Sequence, residues 1–566
     1  MKYHFKSFLG REPESIREFL NASATIFNDK ILFHQETDDI TVKYSYTQFK
    51  NDIDALGTEL LARDLGGKNI IVMGENCYEW ALVYMTVVCG VGTIVPVDKN
   101  LSSEELAKVA EFCEAEALFC SDEYSDVTDA LPSFTDVVLF SELGGLIENG
   151  AKRLADGDGR YIIAPINADE TAIIMMSKVN SDKPIGKMLS HRNVCAMLYR
   201  SSGLFDMNER DLLLSVLPMH YPHEMVCGFL APIYFGASVV FGNGLSDLIA
   251  DMNDHHPTII VCTPLIAKAI YKRIRAIASE FEIEKRTALA AARLIGGSFE
   301  LSVKKRVYEE IHERLGGRLK SLYLCGSAAN EALCDGLKDY GINTIREYGL
   351  SAYGFIISVG RPTKHQKCAT GIPLPNGVAD IYNIKEDGTG EVRYKGDNVL
   401  LGYYKNPEKT VEAIHGGWFY TGDVGYIDER GILYVTGRKN NTITNAKGKK
   451  IVPEELEACL NKSPYIKECV VVGIINDSRK DFDLVAVVYP DKKAFAKNFG
   501  EGYTDAIVEK EIEAAVERAN SIAHPYKHIK HFTVRSTAFD KNKVGKIKRS
   551  GVAASIASEH KRKISE

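Results

Sequence analysis

No Cys-x-x-Cys pair occurs among the twelve cysteines of this 566-residue chain, and no regular spacing links them. That absence argues against a zinc site and against a disulfide framework, and leaves the cysteines as small core residues in a reducing compartment. The start, MKYHFKSFLG, has no long apolar run of the kind a secretory leader carries. The longest apolar stretch, Ala81 to Val97, is interrupted by Gly90, Gly92 and Pro96 and stops at Asp98. A buried helix running into a strand accounts for it better than an integral membrane span does, so a cytoplasmic location is the expectation. Basic excess is missing too: the net charge of −7 gives no general nucleic-acid footprint. Internal repeats and low-complexity tracts are absent as well, which sets aside solenoids and disordered arrays.

What is present is ordinary for a globular protein, with 45% apolar and 26% charged residues. The length is too great for one core and points to several subdomains. Ile31 to Tyr46 alternates as a strand pair, and Ser45 with Gln48 reads as a capping box opening a helix. Phe49, Ile53, Leu56 and Leu60 continue that helix at its period, with an end expected near Gly66-Gly67. Short apolar strands at Asn69 to Met73, Thr93 to Val97, Ala117 to Phe119 and Val137 to Leu139 then alternate with helices, which implies a parallel sheet wrapped by helices. Asp156 to Gly159 reads as an exposed loop.

Candidate chemistry begins at Asp169 to His191, a strand (Thr171 to Met176) followed by Ser177, Lys178, Ser181, Lys183-Pro184, Gly186 and Met188-Leu-Ser-His191. Glycines let bare backbone approach phosphate oxygens and lysines neutralise them. Next comes Pro218-Met-His220-Tyr221-Pro222-His223-Glu224, then an apolar run, Met225 to Val240, suited to a buried helix and strand. Leu294 to Gly297 and Leu322 to Ser327 read as strands ending in small residues, which leave room for a flat ligand over a sheet edge. Ile345 to Tyr353 holds Tyr348, an aromatic face, and Ser351, a hydroxyl. In Gly417 to Glu457, Tyr420-Thr-Gly-Asp423 puts a carboxylate after a glycine turn, where it can accept from both hydroxyls of a ribose; Arg438 offers a fork of donors to the same sugar or its phosphate. Singly, Asp423 is a turn former and Arg438 a surface charge; their order over forty residues is what makes the pattern specific.

These segments together resemble the adenylate-forming superfamily of AMP-binding enzymes, and most closely its bacterial long-chain acyl-CoA synthetases. The resemblance implies an α/β fold: a large N-terminal domain of stacked mixed sheets wrapped by helices, with a β-barrel-like subdomain, over residues 1–438. A small mobile α+β domain would follow over 439–566, hinged near Asn440. It implies ATP-dependent activation of a carboxylic acid, a long-chain fatty acid by branch, to an acyl-adenylate, and transfer to the thiol of CoA, with Mg²⁺ assisting. Gly326, Ser327, Ala328, Tyr348, Gly349, Ser351, Asp423 and Arg438 would hold the nucleotide. The phosphate loop would use Ser177, Ser181, Lys183 and Gly186; His220 would stand beside the acyl carboxylate; Gly448 would line the CoA tunnel; and Lys546, in Asp540 to Arg549, would bridge carboxylate and α-phosphate as charge develops. No protein metal cluster is implied.

The chain departs from the family pattern on one side. Val179 and Asp182 stand where loop glycines belong, Ile185 where the second lysine belongs, and Ala352 where a glutamate helps hold Mg²⁺ by a hard oxygen. Asp540 and Asn542 replace the proline and threonine before Lys546. Lys178, Lys183 and Lys187 can compensate if they turn inward. Two further readings therefore stand beside the ligase: an impaired pseudoenzyme binding an adenosine or acyl ligand, and a ligase loading a carrier protein.

Overall fold

The computed structural model describes residues 9–556, except 38–39, 129–130, 134, 178–183, 282–303, 305, 326–330, 361–368, 445–449, 477–480, 542–546, 550 and 553–554, together with the side chains of 351, 444, 450, 475, 476 and 481. Contacts group the chain into two compact units. One comprises Met1–Asp380, Arg393–Tyr420 and Asp428–Leu433; the other comprises Ile381–Val392, Thr421–Ile427 and Tyr434–Glu566.

The first unit holds two large sheets. A nine-stranded sheet runs in the order Ile372–Pro373, Ser358–Gly360, Asn343–Tyr348, Ser321–Leu324, Ile259–Cys262, Leu212–Ser215, Ser238–Phe241, Ile31–Glu36, Thr41–Ser45. Its six middle strands are parallel and its edges antiparallel. The four-residue strands Ile259–Cys262, Ser321–Leu324 and Ser238–Phe241 are buried throughout, as expected of parallel strands covered on both faces. A seven-stranded sheet runs Gly402–Tyr403, Ile185–Ser190, Thr171–Ser177, Thr93–Pro96, Asn69–Met73, Ala115–Cys120, Asp136–Leu139. Ile71, Val95, Leu106, Val109 and Leu118 form one of its cores. The mixed α/β architecture expected from the sequence is therefore present.

Local expectations are largely met, with two adjustments. Ser45 caps its helix by accepting from the Gln48 amide at 3.1 Å, but no return bond from the Gln48 side chain completes a box among the described residues. That helix, Tyr46–Ala62, stops short of Gly66, because Asp64 turns to a left-handed φ of 60° and the Leu65 amide folds back to Leu60 O at 3.1 Å. The apolar stretch after Trp80 is a helix, Tyr78–Thr86, a wider turn, Val87–Val91, and the strand Thr93–Pro96.

A five-stranded sheet joins Val378–Tyr382, Gly390–Lys395, Trp418–Ile427 and Ile414–His415, with Leu433–Arg438 beside the long strand. The second unit's own core lies where helices Pro453–Leu460 and Asp505–Ile522 pack on three strands, Ile466–Asn476, Asp481–Pro490 and Ile529–Val534. Leu456, Leu460, Ile512, Val516 and Leu484 fill it.

Candidate active site

Strands Thr171–Ser177 and Ile185–Ser190 pair antiparallel, in a register that places Ser177 opposite Ile185, Met176 opposite Gly186 and Met175 opposite Lys187. The Ser177 hydroxyl donates to Ile185 O at 3.2 Å, closing the pair at the loop's root. Gly186 is held to glycine by packing, since a Cβ there would lie 2.8 Å from Ile174 Cγ2 and 3.2 Å from Tyr404 Cβ. Ser181 and Lys183, with Lys178, lie outside the described residues. Lys187 is described and turns inward: it is 8% exposed, and burial, followed by the nearby Lys409 charge, pushes its ammonium down to about 8. The strand ends in a capping box, with the Ser190 hydroxyl accepting from the Asn193 amide at 3.1 Å and Asn193 Oδ1 accepting from the Ser190 amide at 2.9 Å. His191 follows, buried, accepting at Nδ1 from the Ile16 amide at 3.3 Å; burial pushes its pKa down to about 4, so it is neutral at physiological pH.

Strand Asn343–Tyr348 delivers the aromatic motif. Tyr348 is 5% exposed, edge-on to Tyr353 at 6.2 Å. Gly349 takes φ +124°, and a Cβ there would sit 2.2 Å from Phe355 O, so only glycine fits this turn. Behind Tyr348, the buried Glu347 carboxylate accepts from the Leu350 amide at 3.1 Å and stands 3.1 Å from His223 Nδ1. His223 Nε2 in turn lies 3.3 Å from Tyr323 O. This Glu347–His223 link ties the motif strand to the Pro218 to Glu224 segment, and sequence reasoning missed it because the partners are far apart in the chain. Ser351 and Ala352 lie on the short helix Leu350–Tyr353; the Ser351 side chain, and all of Gly326, Ser327 and Ala328, lie outside the described residues.

His220 sits in a turn with Nε2 4.0 Å from Asp98 Oδ2 and its ring edge-on to Tyr221 at 4.6 Å. Four residues on, Glu224 opens a widened helical turn, Glu224–Leu230, and is wholly buried. The Ser215 hydroxyl donates to its Oε1 at 2.6 Å, while Oε2 finds no partner among the described residues. Burial pushes its pKa up to about 8, leaving the acid neutral at physiological pH. Gly228 makes room for it, since a Cβ there would lie 2.5 Å from the Glu224 carboxyl.

The hairpin of strands Trp418–Ile427 and Leu433–Arg438 brings Asp423 and Arg438 together, with Nε of Arg438 2.8 Å from Oδ1 of Asp423. The Asp423 side chain is 4% and that of Arg438 46% exposed, so the pair joins a buried carboxylate to a guanidinium half open to solvent. The turn is braced by Thr421, whose hydroxyl donates to Val392 O at 2.7 Å and accepts from the Asp423 amide at 3.0 Å. Asn440 is exposed on the short turn Lys439–Asn441. Next to it, Asn441 Nδ2 donates to Glu454 Oε1 at 2.5 Å. Gly448 and Lys546 lie outside the described residues; the flanks of the latter, Lys541 and Ile547, form an antiparallel bridge. Among the described residues no helix is long and apolar enough to cross a membrane, and no group of three or more His, Cys, Asp or Glu gathers as a metal cluster.

Residues 20–404 match the family model of the AMP-binding enzyme, and residues 440–562 match the AMP-binding enzyme C-terminal domain. The chain belongs to this family of adenylate-forming enzymes. Among curated relatives it is similar to the long-chain-fatty-acid–CoA ligase FadD15 of Mycobacterium bovis, 24% identical with 97% of each chain covered. Among solved structures it is similar to a fatty acyl CoA synthetase of Mycobacterium tuberculosis (TM-score 0.67, 18% identity, 96% of this chain and 99% of that one). ATP-bound MatB from Rhodopseudomonas palustris superimposes with TM-score 0.74 at 18% identity, over 96% of this chain and 99% of the other. At these identities the structural likeness speaks for the fold.

Proposed function

We propose that this protein is an AMP-forming acid–thiol ligase that activates a carboxylic acid with ATP and passes the acyl group to the thiol of CoA, and that its acid is a long-chain fatty acid. The observation that carries the reading is the Asp423–Arg438 pair, in which a carboxylate is fixed by the Thr421 turn beside a guanidinium. Such a pair offers acceptors to two ribose hydroxyls and donors to an adjacent phosphate. Tyr348, with Gly349 forced into its turn, supplies the aromatic face for adenine. Gly326, Ser327, Ala328 and Ser351 complete the nucleotide contacts in this reading, and Asn440 is the pivot between residues 1–438 and 439–566.

In this reading the acid's carboxylate attacks the α-phosphate of ATP and pyrophosphate leaves; the thiol then attacks the acyl carbon and AMP leaves. Lys546 steadies the charge of the first step, and Gly448 admits the thiol's arm in the second. His220, held near Asp98, faces the acid's carboxylate, and the buried run after Glu224 walls the acyl chain. Ala352 offers no donor for Mg²⁺, so the ion would be carried by the nucleotide's own phosphates.

The test is to incubate the purified protein with ATP, Mg²⁺, CoA and a panel of fatty and aromatic acids, with detection of AMP and acyl-CoA by mass spectrometry. Acyl-CoA above a Lys546→Ala control supports the reading and names the acid. Absence of AMP with every acid, despite measurable AMP binding, overturns it in favour of a protein that binds without turnover.

A further inference from the structure

Lys187 is a buried cation with no counter-ion among the described residues. No carboxylate among the described residues stands within ion-pair distance of its ammonium, and the charge that acts on it is that of a second lysine, Lys409. Burying an unpaired charge is costly, and a like charge alongside raises the cost. A site that keeps both lysines is therefore arranged for an anion that arrives from outside.

The sheet register shows where that anion would sit. Met175, Lys187 and Tyr403 lie opposite one another on three adjacent antiparallel strands, so their side chains share one face. Lys409, on helix Pro407–Ala413, reaches over the Tyr403 ring at 4.9 Å, so both ammonium groups are on this side of the sheet. Gly354, the residue after the Tyr348 to Tyr353 motif, closes the face: a Cβ there would lie 2.3 Å from Met175 Cε and 3.8 Å from Lys187 Cδ. The side chain of Lys187 thus runs beneath the turn that carries Ser351 and Ala352. Ile185, one rung nearer the loop, points to the same face, because strand residues two apart share a side.

We propose that Lys187, seconded by Lys409, binds the pyrophosphate end of ATP. The lysine has moved two residues along the strand from position 185 while staying on the same face. This inference rests on the ATP-dependent reading above. It accounts for Ile185, which no longer has to be a cation, and for a buried lysine that otherwise only destabilises the sheet.

The experiment measures affinities for ATP, pyrophosphate and AMP by calorimetry in wild type, Lys187→Met and the double variant Ile185→Lys with Lys187→Met. Methionine keeps the length without the charge, and a thermal melt checks that each variant folds. Expected for Lys187→Met is a loss of about tenfold to a hundredfold for ATP and pyrophosphate, the size of one charge-assisted contact, with AMP affinity unchanged. The double variant is expected to regain most of that loss, which a merely structural lysine would not allow. Equal loss for AMP and ATP, or unchanged ATP affinity, overturns the inference. Wild-type acyl-CoA formation, measured alongside, tests the ligase reading separately: turnover with unaltered ATP affinity in Lys187→Met sinks only the role of Lys187. If wild type binds AMP but neither ATP nor pyrophosphate, both fall.

Discussion

The Asp423–Arg438 hairpin and the Ile185–Ser190 strand, assigned to one nucleotide in the proposed reading, arrange their charges in opposite ways. In the hairpin, the pattern residues Asp423 and Arg438 stand at their expected positions and pair with each other at 2.8 Å, so the unliganded site is self-satisfied. On the other side, Ile185 on its strand and Ala352 on the short helix Leu350–Tyr353 stand where the resemblance expects charges, and the buried cation is Lys187, paired with no carboxylate among the described residues. Under the role proposed for Lys187, the difference teaches that a site can change its residues while keeping its face. An ion pair with one partner open to solvent costs little to keep, whereas a buried charge without a partner is costly.

The comparison breaks most visibly at Lys546. Lys546→Ala is expected to lower acyl-adenylate formation on the order of a hundredfold or more while AMP binding stays, as read by single-turnover kinetics and calorimetry. Unchanged turnover would remove Lys546 from the reaction. Asp423→Ala should weaken AMP and ATP alike, by about tenfold to a hundredfold, because a ribose contact is common to both nucleotides. A loss confined to ATP would place Asp423 with the phosphates and erase the contrast.

Glu224 sharpens the point in the other direction, as a buried acid kept neutral. Its folded pKa, about 8, lies above the unfolded value of 4.5, so its contribution to stability is full below about 4.5 and is lost as pH rises toward 8. Denaturant melts from pH 5 to 8 should show wild type losing about 1 kcal/mol per pH unit relative to Glu224→Gln. Parallel curves for the two proteins would mean that the acid is ionised in the folded state. The smallest effect is expected for Arg438→Lys. With the guanidinium 46% exposed, a drop of about twofold to fivefold in AMP affinity should follow, because a half-exposed ion pair contributes little. A hundredfold drop would show a bidentate contact that lysine cannot replace.

Much of this was legible in the sequence where the signal is local. The strand at 171–177 and the glycine turn before Asp423 follow from propensity and a glycine at φ +67°. The sequence pattern directs Asp423 and Arg438 to one sugar; their pairing with each other comes from the hairpin, which joins residues fifteen apart. The Glu347–His223 link was not legible, since it is made where a strand packs against the start of a distant helical turn and leaves no period in the chain. Glu224 looked like one more polar residue near His220; only the widened turn and Gly228 show that it is sealed in. Lys187 was visible as a candidate for compensation, but its direction depends on strand register, which a lysine-rich loop does not reveal.

The most direct test of the central claim, that the phosphate side has been rebuilt and not abandoned, is acid-dependent exchange of labelled pyrophosphate into ATP at neutral pH. The wild-type protein is expected to catalyse exchange with at least one fatty acid, and Lys187→Met to do so far more weakly. No exchange with any acid, in a protein that still binds AMP, would contradict it.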